Sequence, residues 1–192
     1  METVLELLPL WKTPLLAAHI LGTTLGLGGA TISDILFFKF LTDYRISKKE
    51  SEVMQVMKNI VLGGMFLLVV TGIGLFGTDP ALYKSSDPFL FKTTLAIILV
   101  LNGVALHVWV APRLIRFNLA EHRINRYWHK LAFLLGSISF VTWYSVFFTA
   151  MFKKSMPWDY PTLLLVYLTI LLIAIACGQG MERYLTIRAK RH

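Results

Sequence analysis

The sequence has few cysteines and few charged residues, and each shortage excludes a class of protein. Cys177 is the single cysteine, which excludes an intrachain disulfide and a cysteine-based metal site. Charged residues make up 16% of the 192 residues, whereas hydrophobic residues make up 56%. A soluble domain carries more charge than this, because its surface must face water. The composition therefore indicates a single transmembrane helical domain over residues 1–192.

The apolar residues form five long runs. A helix needs about 20 residues to cross the roughly 30 Å of hydrocarbon in a bilayer. Each run is apolar on all sides, which is expected where lipid and neighbouring helices cover a helix completely. The sequence predicts an all-α bundle of five transmembrane helices, at about 14–39, 60–76, 89–110, 129–152 and 162–180.

The segments beside these runs are polar or basic. The polar stretch 44–58 is expected to be helical in the membrane interface, and the basic, amphipathic stretch 113–130 to lie along anionic headgroups. The first twelve residues lack the basic start of a secretory signal, so the first apolar run is expected to remain in the mature protein.

Lysine and arginine lie mainly on one side of the predicted bundle, which predicts its orientation. The poorer side holds Lys12, Lys84, Lys92, Lys153 and Lys154. The richer side holds Lys39, Arg45, Lys48, Lys49, Lys58, Arg113, Arg116, Arg123, Arg126, Lys130, Arg183, Arg188, Lys190 and Arg191. The positive-inside rule makes the richer side cytoplasmic. We therefore expect a multi-pass protein of the cell inner (cytoplasmic) membrane, with its N-terminus outside and its C-terminus in the cytoplasm. This topology explains the net charge of +8, so the expected partner is the lipid bilayer and not nucleic acid.

Four ionisable residues inside the predicted spans are candidates for function, because a charge at membrane depth is costly. His19 and Asp34 lie in the first span, and Lys92 and His107 lie in the third. Each pair is 15 residues apart, so it extends about 22 Å along its helix and stays within about 60° of one face. His19 and Lys92 are therefore predicted at one level of the bundle, and Asp34 and His107 at the other.

The outer level suggests a haem site. The imidazole of His19 is a suitable axial ligand for haem iron, and Lys92 can pair with a haem propionate or a carboxylate substrate. The alternatives are a His19 that hydrogen-bonds between helices and a Lys92 that extends to the interface. At the inner level, Asp34 can bond to His107, accept a proton or end the apolar stretch. Lys92 and Asp34 are the candidate catalytic residues.

The inner level suggests a second way to hold haem. His129, at the start of the fourth span, is predicted near the depth of His107, and two facing imidazoles form a bis-histidine haem site. Arg113 and Arg126 are then the candidates for binding propionates, since arginine forms paired hydrogen bonds with carboxylates. The alternative is an interfacial His129 that contacts lipid headgroups. The candidate iron ligands are thus His19, His107 and His129, and the suspected cofactor is haem b.

Glycines in the first span allow close contact with another group. Gly22 and Gly26 have the GxxxG spacing, which lets a second helix approach closely. The same small residues can make room for a flat macrocycle beside His19. Helix packing is the commoner use of this spacing.

Two stretches carry a resemblance to a known group. AHILGTTLGLGGATISDILFFKFL in the first span and FLFKTTLAIILVLNGVALHVWVAPRL in the third resemble bacterial copper-resistance protein D and the HemJ-type protoporphyrinogen oxidases, and more closely the uncharacterised members of that group. The resemblance covers about the first 115 residues. It implies a membrane protein that binds haem b and oxidises a porphyrin, with His19 and Lys92 at the family's histidine and lysine positions. The chain departs from the family in GGATISD, in LNGVALH and in the fourth span.

Three functions follow from these features. The first is a haem b membrane oxidoreductase or electron-transfer protein, with a porphyrin or a redox protein as its partner. The second is a transporter or channel for a small solute, protons or copper, which would form a homo-oligomer because five helices are few for alternating access. The third is a structural membrane subunit whose polar residues serve helix packing.

Overall fold

The computed structural model describes residues 11–41, 47–113, 126–152 and 158–189, and the regular structure in these ranges is helical. Its elements are α1 (Lys12–Leu41), α2 (Lys48–Thr78), α3 (Pro80–Lys84), α4 (Asp87–Val104) with a π-helical continuation (Ala105–Val110), α5 (Arg126–Met151) and α6 (Tyr160–Ala189). Five of them, all except the short α3, are long and apolar enough to cross a membrane. The prediction of an all-helical chain with five such helices is confirmed.

The largest change from the predicted boundaries is at α2. This helix begins at Lys48, so residues 48–58 of the polar stretch and the second apolar run form one continuous helix. A capping box fixes its start: the Glu50 amide donates to Ser47 Oγ at 3.2 Å, and the Ser47 amide donates to Glu50 Oε2 at 2.7 Å. At the other terminus, α6 continues to Ala189, beyond the predicted end at residue 180. Most of the predicted amphipathic stretch 113–130 lies outside the described residues.

Glycines bring α1 and α2 into direct backbone contact. A Cβ atom added to Gly64 would lie 2.5 Å from the Gly26 nitrogen and 2.9 Å from the Gly22 oxygen. On its other side, Gly26 lies against the indole of Trp143 from α5. The GxxxG pair therefore serves helix packing, because any side chain at these positions would push α1 away from its neighbours.

The second packing unit joins α4, α5 and α6. Phe91 and Leu95 of α4 and Tyr167 of α6 are buried in one cluster. Polar groups inside this unit are paired across helices: Thr142 and Tyr167 share a hydrogen bond of 3.0 Å, and the Asn102 amide donates to the Leu135 carbonyl at 3.1 Å. The Asn102 side chain therefore joins α4 to α5.

The helices alternate in direction, which gives the bundle two distinct ends. We call the end where α1, α4 and α6 finish and α2 and α5 begin the basic end, and the other the opposite end. The antiparallel register is visible along α1 and α2, where Gly22 meets Leu68 and Gly29 meets Val61. Asp34, His107 and His129 consequently lie toward the basic end, and His19 and Lys92 toward the opposite end.

The π-helical continuation of α4 widens the helix around His107. The Ala111 amide shows the π-helical hydrogen-bond pattern, because it donates to the carbonyl of Leu106, five residues earlier. Pro112 follows directly; it has no N–H to donate, and its ring crowds the carbonyl four residues before it, at Val108. A wider turn relieves that crowding, and such turns are frequent at functional sites.

Candidate functional site

His19 is held by a hydrogen bond across the α1–α2 contact. Its Nδ1 lies 2.9 Å from Thr71 Oγ1. The Thr71 hydroxyl has one proton, which it donates to the Leu67 carbonyl at 2.6 Å, so toward His19 it accepts. With the threonine proton on the backbone carbonyl, we assign the imidazole proton to His19 Nδ1. In a neutral ring this leaves Nε2 with its lone pair available for a metal ion or another donor.

His19 has a glycine and a cation in its surroundings. The ring is half-buried, and a Cβ atom at Gly72 would lie 3.5 Å from its Cε1, so the imidazole rests beside a glycine of α2. The positive charge of Lys92, from α4, acts on His19. The structure thus brings the histidine and the lysine singled out in the sequence within electrostatic range of each other.

A cavity of about 430 Å³ lies at the basic end of the bundle. Its walls come from α1, α2, α5 and the last turns of α4. This volume is within the usual range for ligand pockets. The lining residues are Ser33, Asp34, Leu36, Phe37, Ser51, Met54, Gln55, Met57, Lys58, Leu106, His107, Val110, Ala111, Pro112, Ala132 and Gly136.

Two of the predicted site residues, Asp34 and His107, line this cavity from different helices. Nδ1 of His107 is buried and has no hydrogen-bond partner among the described residues. The positive charge of Lys58 acts on His107. Within the described ranges, Asp34 forms no hydrogen bond with His107 or with another residue. Since buried polar groups are nearly always paired, the unpaired Nδ1 of His107 marks the cavity as a place for a ligand.

His129 lies apart from this cavity and is not among its lining residues. It is only 3% exposed, and the negative charge of Glu182, itself 1% exposed, acts on it. Thr186 donates a hydrogen bond of 3.0 Å to Glu182 Oε1. The structure therefore places His107 in the cavity wall and His129 beside a buried glutamate of α6.

The two predicted propionate-binding arginines lie near the start of α5 and the end of α4. The Arg113 guanidinium donates to the Trp109 carbonyl at 2.8 Å and lies 5.2 Å from the ring centroid of Trp128. These contacts use part of its hydrogen-bonding capacity and hold it against the bundle. The side chain of Arg126 lies outside the described part of the chain.

The side chains of the described residues suit a haem better than a bare metal ion. Within the ranges that the structure describes, no group of three or more histidine, cysteine, aspartate or glutamate side chains could hold a metal ion. Haem iron needs only one or two protein ligands, because the macrocycle supplies the rest. By donor chemistry, His19 fits such a ligand in the tautomer that donates its Nδ1 proton to Thr71, because Nε2 then keeps its lone pair.

Several residues of these sites were not predicted from the sequence. Thr71 has no local signal that marks a site, and Lys58 was counted only toward the orientation. Glu182 lies just beyond the predicted end of the last span. The one local signal for the wide turn at His107 was Pro112, since a proline can distort the turn before it as well as end a helix.

Comparisons with protein-family models, with curated proteins and with solved structures found no match for this chain. The function is therefore inferred from the residues and their geometry.

Proposed function

We propose that the protein is an integral protein of the cytoplasmic membrane that binds haem b and has a redox or electron-transfer role. Five helices of spanning length and the excess of lysine and arginine on one side support insertion with the N-terminus outside and the C-terminus in the cytoplasm. In this orientation the basic end of the bundle is cytoplasmic, and His19 and Lys92 lie in the outer half.

The observation that carries the haem proposal is the hydrogen bond from His19 to Thr71. A histidine that ligates a metal commonly donates its other ring proton to a neighbouring acceptor, which fixes the tautomer and the ring orientation. Thr71 is that acceptor here, at 2.9 Å. It holds Nε2 as the free donor atom, and so prepares His19 to act as an axial ligand.

Each neighbouring group has a defined task in this proposal. Bound haem supplies one-electron redox chemistry. Lys92 offsets the charge of a propionate near His19, the glycines of α1 and α2 keep the two helices in contact, and the apolar helices exclude water from the site. The resemblance of the first and third spans to the HemJ-type oxidases supports the same two residues, His19 and Lys92.

An absorption spectrum tests the proposal. Protein purified from haem-sufficient cells should show a Soret band that shifts on reduction with dithionite, and a preparation without that band would overturn the proposal. Thr71→Val should weaken haem retention by about 10- to 100-fold, the usual effect of losing such a supporting contact. Thr71→Ser is the matched control, because it keeps the hydroxyl and should retain the pigment.

A further inference from the structure

The cavity at the basic end contains polar groups that need a partner. Nδ1 of His107 is buried without a hydrogen bond to any described residue, and it lies on the widened turn of α4. An unpaired polar group in a low-dielectric interior costs free energy, so such groups usually mark a bound water, ion or ligand. A volume of about 430 Å³ is too large for one or two ordered waters.

The polar groups of the cavity form two sets, one basic and one acidic. Lys58 of α2 and His107 of α4 belong together, because the charge of Lys58 acts on His107. Asp34 lines the cavity from α1, so the acidic group is carried by a different helix from the two basic groups. A ligand that forms hydrogen bonds with both sets needs a polar atom at each of two ends.

The rest of the cavity wall is suited to a flat, apolar body. Phe37, Met54 and Met57 line the cavity together with small residues of α4 and α5. A phenyl ring stacks on flat rings, and thioether sulfur makes favourable contacts with aromatic edges. The cavity thus combines a ring-binding wall with basic and acidic hydrogen-bonding groups.

We infer that this cavity binds a quinone, in its oxidised or its quinol form. One ring oxygen accepts hydrogen bonds from the Lys58 ammonium and the His107 imidazole, and the oxygen across the ring pairs with the Asp34 carboxyl. The isoprenoid tail remains among the apolar helices. A fatty acid has one polar end and would leave Asp34 unpaired. The inference concerns binding alone and does not depend on haem at His19.

Gly136 of α5 provides a way to fill the cavity without disturbing the fold. It lines the cavity, and a Cβ atom added there would meet no atom within 4 Å. Gly63 of α2 is equally open but does not line the cavity. Gly136→Leu and Gly63→Leu are therefore a matched pair: both add the same side chain to a helix, and only the first occupies the ligand's space.

The experiment measures binding of a short-chain ubiquinone to the purified full-length protein in detergent, by quenching of tryptophan fluorescence. We expect saturable quenching, a dissociation constant raised at least about tenfold by Gly136→Leu, and no change with Gly63→Leu. Lys58→Met should also weaken binding about tenfold or more, as expected for the loss of a charge-assisted hydrogen bond. Its control is Lys48→Met, an exposed lysine of the same helix outside the cavity.

Asp34→Leu separates a two-ended ligand from a one-ended one. A quinone should bind this variant more weakly, whereas laurate, which has a single carboxylate, should not compete for the site in the unmodified protein. The inference is overturned by the absence of saturable binding, by Gly136→Leu binding as tightly as Gly63→Leu, or by laurate binding that needs Lys58 but not Asp34. Loss of haem from Gly136→Leu would also overturn the inference, because the cavity would then be the haem-binding site.

Discussion

Replacing Gly64 with alanine should force α1 away from α2 and loosen the site at His19. The added methyl group would lie 2.5 Å from the backbone nitrogen of Gly26 and 2.9 Å from the carbonyl oxygen of Gly22. Both atoms belong to the backbone, so no side-chain rotation can relieve the contact. An ordinary contact begins at 3.4 Å, and the two helices must therefore shift by up to 0.9 Å at this point.

The magnitude follows from two opposing effects. Overpacking of a tight contact costs about 1–3 kcal/mol. Alanine gains about 0.8–1 kcal/mol over glycine in a helix interior, although this value comes from helices in water. Gly63→Ala is the matched control, because it has the same helix gain at the adjacent position and its Cβ meets nothing within 4 Å. The free energies of unfolding of the two variants should therefore differ by about 1–3 kcal/mol.

Reversible unfolding of the purified protein in mixed micelles, followed by circular dichroism, measures this difference. The same preparations report on function, because the His19–Thr71 hydrogen bond crosses the contact that Gly64 holds together. Gly64→Ala should therefore lose haem along with stability, and Gly63→Ala should lose neither. If Gly64→Ala is as stable as Gly63→Ala, the close glycine contact does not exist in the membrane-inserted protein.

Three further predictions concern other parts of the fold. Thr142→Val should lower the free energy of unfolding by about 1–3 kcal/mol, because it leaves the buried Tyr167 hydroxyl without its 3.0 Å partner; Thr142→Ser should restore most of the loss. Ser47→Ala should lower the free energy of unfolding by about 1 kcal/mol, because it removes the cap of α2. Amide hydrogen exchange should increase only in the first turn of α2, and unchanged exchange there would contradict the cap. At the start of α6, hydrogen bonding by the Thr162 side chain lowers the pKa of the exposed Asp159 carboxyl below 3.8. Because the folded-state pKa is lowered, this carboxylate stabilises the first turn of α6 above the unfolded-state pKa and loses that effect as the pH falls through the lowered value. Amide hydrogen exchange in this turn should therefore rise in acid. Asp159→Asn should abolish this pH dependence.

The number and approximate position of the helices could be predicted because they depend on local sequence. Apolar length and loop charge are both properties of contiguous residues. The second span was predicted from about residue 60 because hydrophobicity marks the membrane and not the helix. The polar stretch before it was expected to be helical, and from Lys48 onward it forms the first turns of α2. A capping box at Ser47 and Glu50 was the local signal for the true start.

The sites could be predicted only in part. Spacing of 15 residues along two parallel helices was enough to place His19 with Lys92 and Asp34 with His107 at common levels. Rotation of each helix about its axis depends on tertiary packing, so the separation of His129 from the cavity could not be derived. The same holds for Thr71, whose role depends on a neighbouring helix 52 residues away in the chain.

Haem content per polypeptide, measured side by side in the unmodified protein, His19→Ala and His107→Ala, tests the central claim most directly. All three proteins should be purified from the same haem-sufficient cells and quantified as the pyridine haemochrome. Ligation through the lone pair that Thr71 leaves on His19 predicts that His19→Ala loses its haem and that His107→Ala keeps it. Full haem content in His19→Ala would contradict the claim.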